Sequence, residues 1–256
     1  MKPFAPMLLA ALASGCAAPS FDVAPRYGSF DLEGHFGITS NTTGEIPVSD
    51  MNRAGIGKDD GFFGLKAEID IGAPVFTLST QQTDHGGSGV VDNDLMSGGD
   101  MIAAGTAVDS DVQFGLHQLA ATFDLIPGDR FDVGLGLGLT IADLDAVMTG
   151  GGDTIDTDRT LPIPVLALRA KVDLGDFEAT GMVSGFDISV DGERVDFVDI
   201  DLAAQYRLFG ARDRLAGSIA AGYRVVNLGV DYEEDGDRID TRFRFKGPYV
   251  AFVFGF

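Results

Sequence analysis

The chain closes on Ala251-Phe252-Val253-Phe254-Gly255-Phe256, where three phenylalanines alternate with small residues. Successive side chains of a strand point to opposite faces, so this segment has one aromatic face and one nearly bare face. In water an exposed aromatic strand invites edge-to-edge aggregation. In a closed barrel that crosses a bilayer it is stable, because hydrocarbon covers the aromatic face and closure removes the edge.

The same period of two runs through the chain from about residue 29. Phe63, Leu65, Ala67, Ile69 and Ile71 alternate with Gly64, Lys66, Glu68 and Asp70, and Phe131, Val133, Leu135, Leu137 and Leu139 alternate with Asp132, glycines and Thr140. Leu168, Ala170, Val172 and Leu174 alternate with Arg169, Lys171 and Asp173; Val198, Ile200, Leu202, Ala204, Tyr206 and Leu208 alternate with Asp199, Asp201, Ala203, Gln205 and Arg207. Such segments read as strands with one apolar face. Tight connectors at Gly72-Ala73-Pro74, Pro127-Gly128-Asp129, Gly175-Asp176 and Gly210-Ala211-Arg212-Asp213 alternate with long polar ones at about 40–60, 84–109, 143–160, 189–195 and 231–238.

The fold class is therefore all-β, a transmembrane up-and-down antiparallel barrel. Ten strands are predicted, at about 29–39, 61–71, 75–83, 110–125, 130–142, 161–174, 177–188, 196–209, 214–230 and 239–256. Eight is the alternative, should the weak alternation near 75–83 or 177–188 not be strand. An even count puts both termini in the periplasm. Breaks of phase near Ala120 and near Gly247-Pro248 predict bulges. A soluble β-sandwich gives similar alternation. Its polar faces would carry mixed surface residues, whereas here many are Gly, Ala or Ser, which suits a crowded lumen.

Composition narrows the function. After the N-terminus there is no run of about 18 apolar residues, which excludes a helical membrane protein. A net charge of −21 and a pI of about 4.2 argue against nucleic-acid binding, which needs clustered Lys and Arg. The single Cys excludes an internal disulfide framework. It lies at the end of a signal peptide, in which Met1-Lys2 opens a basic region, an apolar stretch follows, and Ala13-Ser14-Gly15-Cys16 closes it. The chain then divides into a signal at 1–15, a periplasmic linker at 16–28 and a barrel at 29–256.

Two resemblances follow from these residues. Ala13-Ser14-Gly15-Cys16 resembles a bacterial lipobox, which implies lipidation at Cys16; cleavage after Ala18 is the alternative, since Leu12 stands one place too early. Val250, Phe252, Phe254 and Phe256 resemble the C-terminal assembly signal of Gram-negative outer-membrane barrels. The chain from about residue 29 is similar to small barrels of the OmpA-like and OmpW-like class. That likeness implies an outer-membrane location, contact with lipid and lipopolysaccharide, and insertion by the barrel-assembly machinery. It implies no specific activity and no cofactor.

The polar faces give the candidate site. Lys66, Glu68, Asp70, Arg169, Lys171, Asp173, Asp199, Asp201, Arg207 and Arg224 fall on the inward face. A barrel of this size is filled by side chains, and unpaired charge there is costly. A salt-bridged plug is the leading reading, and a narrow ion or solute pathway is the rival. Arg242, Arg244 and Lys246 join the same network or the rim. The segments 84–109 and 143–160 read as acidic loops, carrying Asp84, Asp92, Asp94, Asp100 and Asp109, then Asp143, Asp145, Asp153, Asp156 and Asp158. Solvated loops or weak divalent-cation bridging fit them. Asp231-Tyr232-Glu233-Glu234-Asp235-Gly236-Asp237 fails as a calcium loop, because its twelfth position is Arg242.

Catalysis finds little support. Asp84-His85, placed where a strand meets an outer loop, invites comparison with omptin proteases, although the chain is short for the tall barrel those enzymes build. His35, His85 and His117 each lack the Ser two residues away that lipid A deacylase barrels use, and read as polar lumen or loop residues. No Gly-rich phosphate loop opens a helix. Asn41-Thr42-Thr43 matches a glycosylation sequon without consequence in a bacterial loop.

Overall fold

Alternating apolar and small residues build strands, and enough of them with a consistent twist curl the sheet until its edges meet. The computed structural model describes residues 19–39, 48–50, 60–97, 100–128, 130–190, 193–210, 215–234 and 237–256. The expected signal segment, Cys16 and the sequon lie outside them. The wall consists of ten long strands: β1 (Ser20–Thr39), β3 (Asp60–Asp70), β4 (Val75–Val90), β7 (Ala107–Ile126), β8 (Phe131–Gly150), β9 (Asp153–Asp173), β10 (Phe177–Val190), β11 (Glu193–Phe209), β12 (Ala216–Glu234) and β13 (Asp237–Gly255). Each pairs antiparallel with its neighbour in sequence, and β13 closes on β1 from Asp22↔Gly255 to Thr39↔Arg238. A short β2 (Val48–Asp50) adds to β1. β5 (Leu95–Ser97) and β6 (Asp100–Ile102) form a small hairpin between β4 and β7. The barrel is closed, so neither a sandwich nor an eight-stranded wall applies.

Three boundaries differ from the sequence reading. The span 16–28, expected as a periplasmic linker, belongs to the wall from Ser20 onward, where β1 pairs with both β3 and β13. Pro25 and Gly28 hide the alternation there. Two segments expected as long loops, 143–160 and 231–238, are largely ladder: β8 and β9 pair as far as Gly150↔Asp153, and β12 and β13 as far as Glu234↔Asp237. The bulges fall at Asp124/Ile126 and Arg207/Phe209, and the register runs unbroken through Ala120 and through Gly247-Pro248.

What looks like a break of phase is an inversion of polarity. Along β7 the inner face runs Val108, Val112, Phe114 and Leu116 and then Gln118, Ala120 and Thr122, all buried. The outer face runs Asp109, Asp111, Gln113 and His117 and then Leu119, Phe123 and Leu125, all exposed. β1, β8, β9, β11, β12 and β13 invert in the same way. Tyr27, Phe63, Leu137, Leu166, Leu202, Tyr223, Val250 and Phe252 face outward in the half near the short turns. In the other half Asp31, Asp143, Asp156, Asp158, Asp196 and Arg242 face outward.

Lengths agree with a membrane border at the inversion. From Phe131 to Ile141 the apolar stripe of β8 covers about 33 Å along the strand, at about 3.3 Å per residue. At a tilt of about 40° it rises about 25 Å, the height of a bilayer-facing band. A crossing strand needs about 9–11 residues, and β8 has 20. The rest stands above the membrane, polar outside and apolar within.

Candidate functional site

The lumen has two storeys. The upper one, inside the extramembrane wall, is mainly apolar, with Thr83, His85 and Ser110 buried among the hydrophobic side chains. Phe30 stacks on Phe62 with ring centroids 4.1 Å apart, and Phe114 on Phe245 at 4.2 Å. Leu32, Leu116, Ile163, Phe197, Val226 and Leu228 belong to the same cluster, and Val91 after β4 with Leu95 and Ile102 of the β5–β6 hairpin are buried in it. Sequence reasoning missed this storey, because it assigned one polarity to the whole inner face.

The lower storey is polar and ionic. Arg224 of β12 grips Asp199 of β11 with Nε at 2.9 Å and Nη2 at 2.7 Å, and its Nη1 donates to Gln81 Oε1 at 2.5 Å. Arg224 and Asp199 are both buried. Beside them Arg26 Nη1 meets Asp201 Oδ2 at 2.7 Å and lies over the Tyr249 ring, 4.9 Å from its centre, while Tyr249 donates its hydroxyl to Asp201 Oδ1 at 2.5 Å. Lys171 pairs with Glu178 at 3.3 Å, and Gln205 donates to the same carboxylate at 2.6 Å. Gln118 of β7 reaches both Thr140 and Ser184.

Glycine makes one of these contacts possible. Asp124, Gly134 and Arg169 lie in one row across β7, β8 and β9. With no side chain at Gly134, Arg169 reaches over β8 to Asp124 at 2.7 Å, and also meets Asp132 at 3.1 Å. A Cβ at Gly134 would lie 3.3 Å from Thr122 and 3.4 Å from Asp124.

The inward set read from sequence is thus inward: Lys66, Glu68, Asp70, Arg169, Lys171, Asp173, Asp199, Asp201, Arg207 and Arg224 all occupy the inner face of their strands. Direct contacts group them as Arg224–Asp199, Arg26–Asp201, Lys171–Glu178 and Arg169 with Asp124 and Asp132. Charge links the groups, because Glu68 acts on both Arg169 and Lys171, and Asp201 on Arg224 as well as Arg26. A cavity of about 60 Å³ at the short-turn end is lined by Asp22, Arg26, Lys66, Glu68, Lys171, Glu178 and Tyr249 among others. That is room for a few waters. Arg26 and Asp22 were missed because their segment read as linker. Glu178 sits in a weakly alternating strand, and Tyr249 follows the Gly247-Pro248 irregularity.

Arg242, Arg244 and Lys246 face outward above the apolar belt, at the rim and not in the lumen network. Lys246 donates to Glu33 at 2.5 Å and Arg242 lies 3.8 Å from Asp196. The Lys246 hydrogen bond holds the exposed Glu33 carboxyl below the usual carboxylate range. The acidic residues expected on loops sit largely on strands. Asp84, Asp109, Asp143, Asp145, Asp156 and Asp158 face outward from β4, β7, β8 and β9, and Asp145 and Asp158 are direct cross-strand partners. No group of three metal-ligating side chains converges among the described residues.

Asp84 and His85 lie within β4, not at a loop junction, and point to opposite faces: Asp84 is exposed outside, and His85 is buried among the lumen aromatics, 6.1 Å from the Phe245 ring. The pair is no dyad. His117 is neither lumen nor loop; it stands on the outer wall, where Thr80 Oγ1 lies 2.7 Å from its Nδ1 and Asp143 Oδ2 3.6 Å from its Nε2. Val250, Phe252, Phe254 and Phe256 face outward along the closing seam, where Phe21 and Phe256 exchange backbone hydrogen bonds of 3.2 and 2.9 Å.

The architecture has solved counterparts. The outer membrane protease OmpT of Escherichia coli superposes with a TM-score of 0.57 at 11% identity, over 92% of this chain and 97% of that one. This chain is built as an outer-membrane β-barrel. The expectation that it is too short for a tall barrel of that kind is corrected by β1, β7, β8, β9, β12 and β13, which run 19–21 residues each. Ail of Yersinia pestis (TM-score 0.30, 12% identity, 89% of this chain and 97% of that one) and neisserial surface protein A (0.30, 10%, 91% and 98%) also match. No protein-family signature and no curated protein sequence matches the chain. At 11% identity the likeness to OmpT shows the fold alone. Lipid-facing belt and closed wall together put the protein in a Gram-negative outer membrane.

Proposed function

We propose that the protein is a sealed outer-membrane post with a structural or surface-contact role. The observation that carries this reading is the two-storey lumen: the buried Arg224–Asp199 pair below and the Phe30–Phe62 and Phe114–Phe245 stacks above. An ion entering from the periplasm would have to displace paired charges and then cross a layer of close-packed aromatic rings in which only a few polar groups, His85, Thr83 and Ser110, stand in for its hydration shell. The outward carboxylates of β7, β8 and β9 suit contact with anionic lipopolysaccharide through bridging divalent cations, and the terminal phenylalanine pattern suits recognition by the barrel-assembly machinery. Planar-bilayer recording on the refolded chain tests the seal. Flat current is the expected result; reproducible single-channel steps would defeat it. The rival, a narrow pathway for small solutes, rests on the charged cavity at the periplasmic end, and those same steps would favour it.

A further inference from the structure

The outer wall carries a polar constellation that the seal does not use and of which the surface-contact reading uses only the Asp143 carboxylate. Thr80 of β4 and His117 of β7 are direct cross-strand partners, and their side chains meet at 2.7 Å between Oγ1 and Nδ1. The other ring nitrogen, Nε2, faces Asp143 Oδ2 of β8 at 3.6 Å. Thr160 of β9 donates to Asp143 Oδ1 at 2.6 Å and fixes the carboxylate. Gly115 lies opposite Asp143 on the same face; a Cβ there would sit 3.4 Å from Asp143 Cβ and 3.5 Å from His117 Nε2, so its absence leaves the gap between them open. At 3.6 Å Asp143 is too far for a hydrogen bond to Nε2, but its negative charge favours the tautomer with the proton on that nitrogen, which leaves Nδ1 to accept from Thr80. Hydroxyl, imidazole and carboxylate in sequence are the parts of an activated nucleophile.

Depth gives the substrate class. Thr80 and His117 form the lowest polar row of the outer wall. Leu78 and Leu119 stand directly beneath them, exposed at the top of the apolar belt. Acyl esters of outer-leaflet lipids lie at this border between hydrocarbon and headgroup. We propose that Thr80, His117 and Asp143 form an esterase site on the lipid-facing wall, acting on acyl-ester bonds of membrane lipids. The Thr80 oxygen adds to the ester carbonyl carbon while its proton passes to His117 Nδ1. The adduct collapses, the bond to the lipid alcohol breaks, and that alcohol leaves with the proton from Nδ1. Water then adds to the acyl-threonine ester, His117 again taking the proton, and the fatty acid leaves as Thr80 regains its hydrogen. Backbone amides at this level are committed to the ladder, with Gln82 paired to both Phe63 and Gly115. The exposed Gln82 carboxamide, next to Thr80 on the same face, is therefore the donor for the carbonyl oxygen.

The test uses the full chain refolded in detergent, with phosphatidylethanolamine micelles in one arm and lipopolysaccharide in the other, read by released fatty acid. A long-chain fluorophosphonate, which bonds phosphorus to an activated hydroxyl and expels fluoride, is read by mass at Thr80. Expected are release in one arm or both, a fall of about 10²-fold or more in Thr80→Ala and His117→Ala, retention in Thr80→Ser, and labelling of Thr80 that His117→Ala abolishes. Each variant is checked for the heat-modifiable folded band. Absence of release in both arms without a label, or release by Thr80→Ala equal to that of the unmutated protein, overturns the site and reduces the constellation to cross-strand polar pairing. Neither result touches the seal, which conductance decides separately.

Discussion

Arg224 of β12 reaches diagonally past its direct partner Asp201 to hold Asp199 of β11 in a two-pronged ion pair, and neither side chain has an open route to solvent. Losing one partner strands the other charge, at a cost of about 3–5 kcal/mol. Arg224→Ala and Asp199→Ala should each lower the urea midpoint of unfolding in micelles by that order. The double change to leucine at both positions should recover most of the loss, since well-packed apolar residues replace buried pairs at little cost. Additive losses in the double variant would refute the coupling.

Gly134 is the bridge over which Arg169 reaches Asp124. Gly134→Leu puts a side chain in that path and should destabilise the barrel by about 1–3 kcal/mol through overpacking alone. If Arg169 is already Ala, the same leucine should cost measurably less. Equal costs in both backgrounds would show that the glycine does not serve the arginine.

Glu33 and Lys246 tie β1 to β13 above the membrane. The folded carboxyl titrates below its unfolded value, so the pair contributes at neutral pH and until pH falls to the unfolded value of about 4.3. That contribution fades as pH falls further, through the folded pKa. Glu33→Gln should be slightly less stable at pH 7 and converge on the unmutated protein in acid. A gap between the two melting curves that stays constant from pH 7 into strong acid would contradict it.

Asp145 and Asp158 stand directly opposite on the outer wall, and both are exposed. Like charges so placed are destabilising. Asp158→Lys should raise stability by about 0.5 kcal/mol at low salt, and the gain should shrink as salt screens the pair. A loss on introducing the lysine would mean that the carboxylates already share a counter-charge.

Phe256 ends the chain at the seam, its ring centroid 6.2 Å from that of Phe21. Phe256→Ala should reduce the yield of heat-modifiable barrel in cells more than it reduces the stability of barrel refolded in vitro. Equal effects would assign the residue to packing and not to assembly.

The strand count and the inward charges were legible because period-two alternation survives wherever one face meets hydrocarbon and the other meets charge. Lys66-Ala67-Glu68-Ile69-Asp70 and Leu168-Arg169-Ala170-Lys171 carry that pattern openly. It failed in two places for physical reasons. At Ser20–Gly28 proline and glycine blur the face, so Arg26 was lost. Above the membrane the meaning of the faces reverses: Asp143, Asp145, Asp156 and Asp158 look like a polar loop unless one asks whether Leu144, Ala146, Met148 and Ile155 among them fill an interior. The meeting of Thr80, His117 and Asp143 depends on register across three strands, which no single segment encodes.

The reversal at Leu116–Leu119 also acts as a waterline. Sinking the barrel by two residues would drag Asp143 and Thr160 into hydrocarbon; raising it by two would bare Leu119 and Leu139 to water. Both displacements are resisted at every point of the circumference where the reversal occurs. The molecule therefore rides at one height, and any chemistry on its flank meets the lipid at a fixed depth.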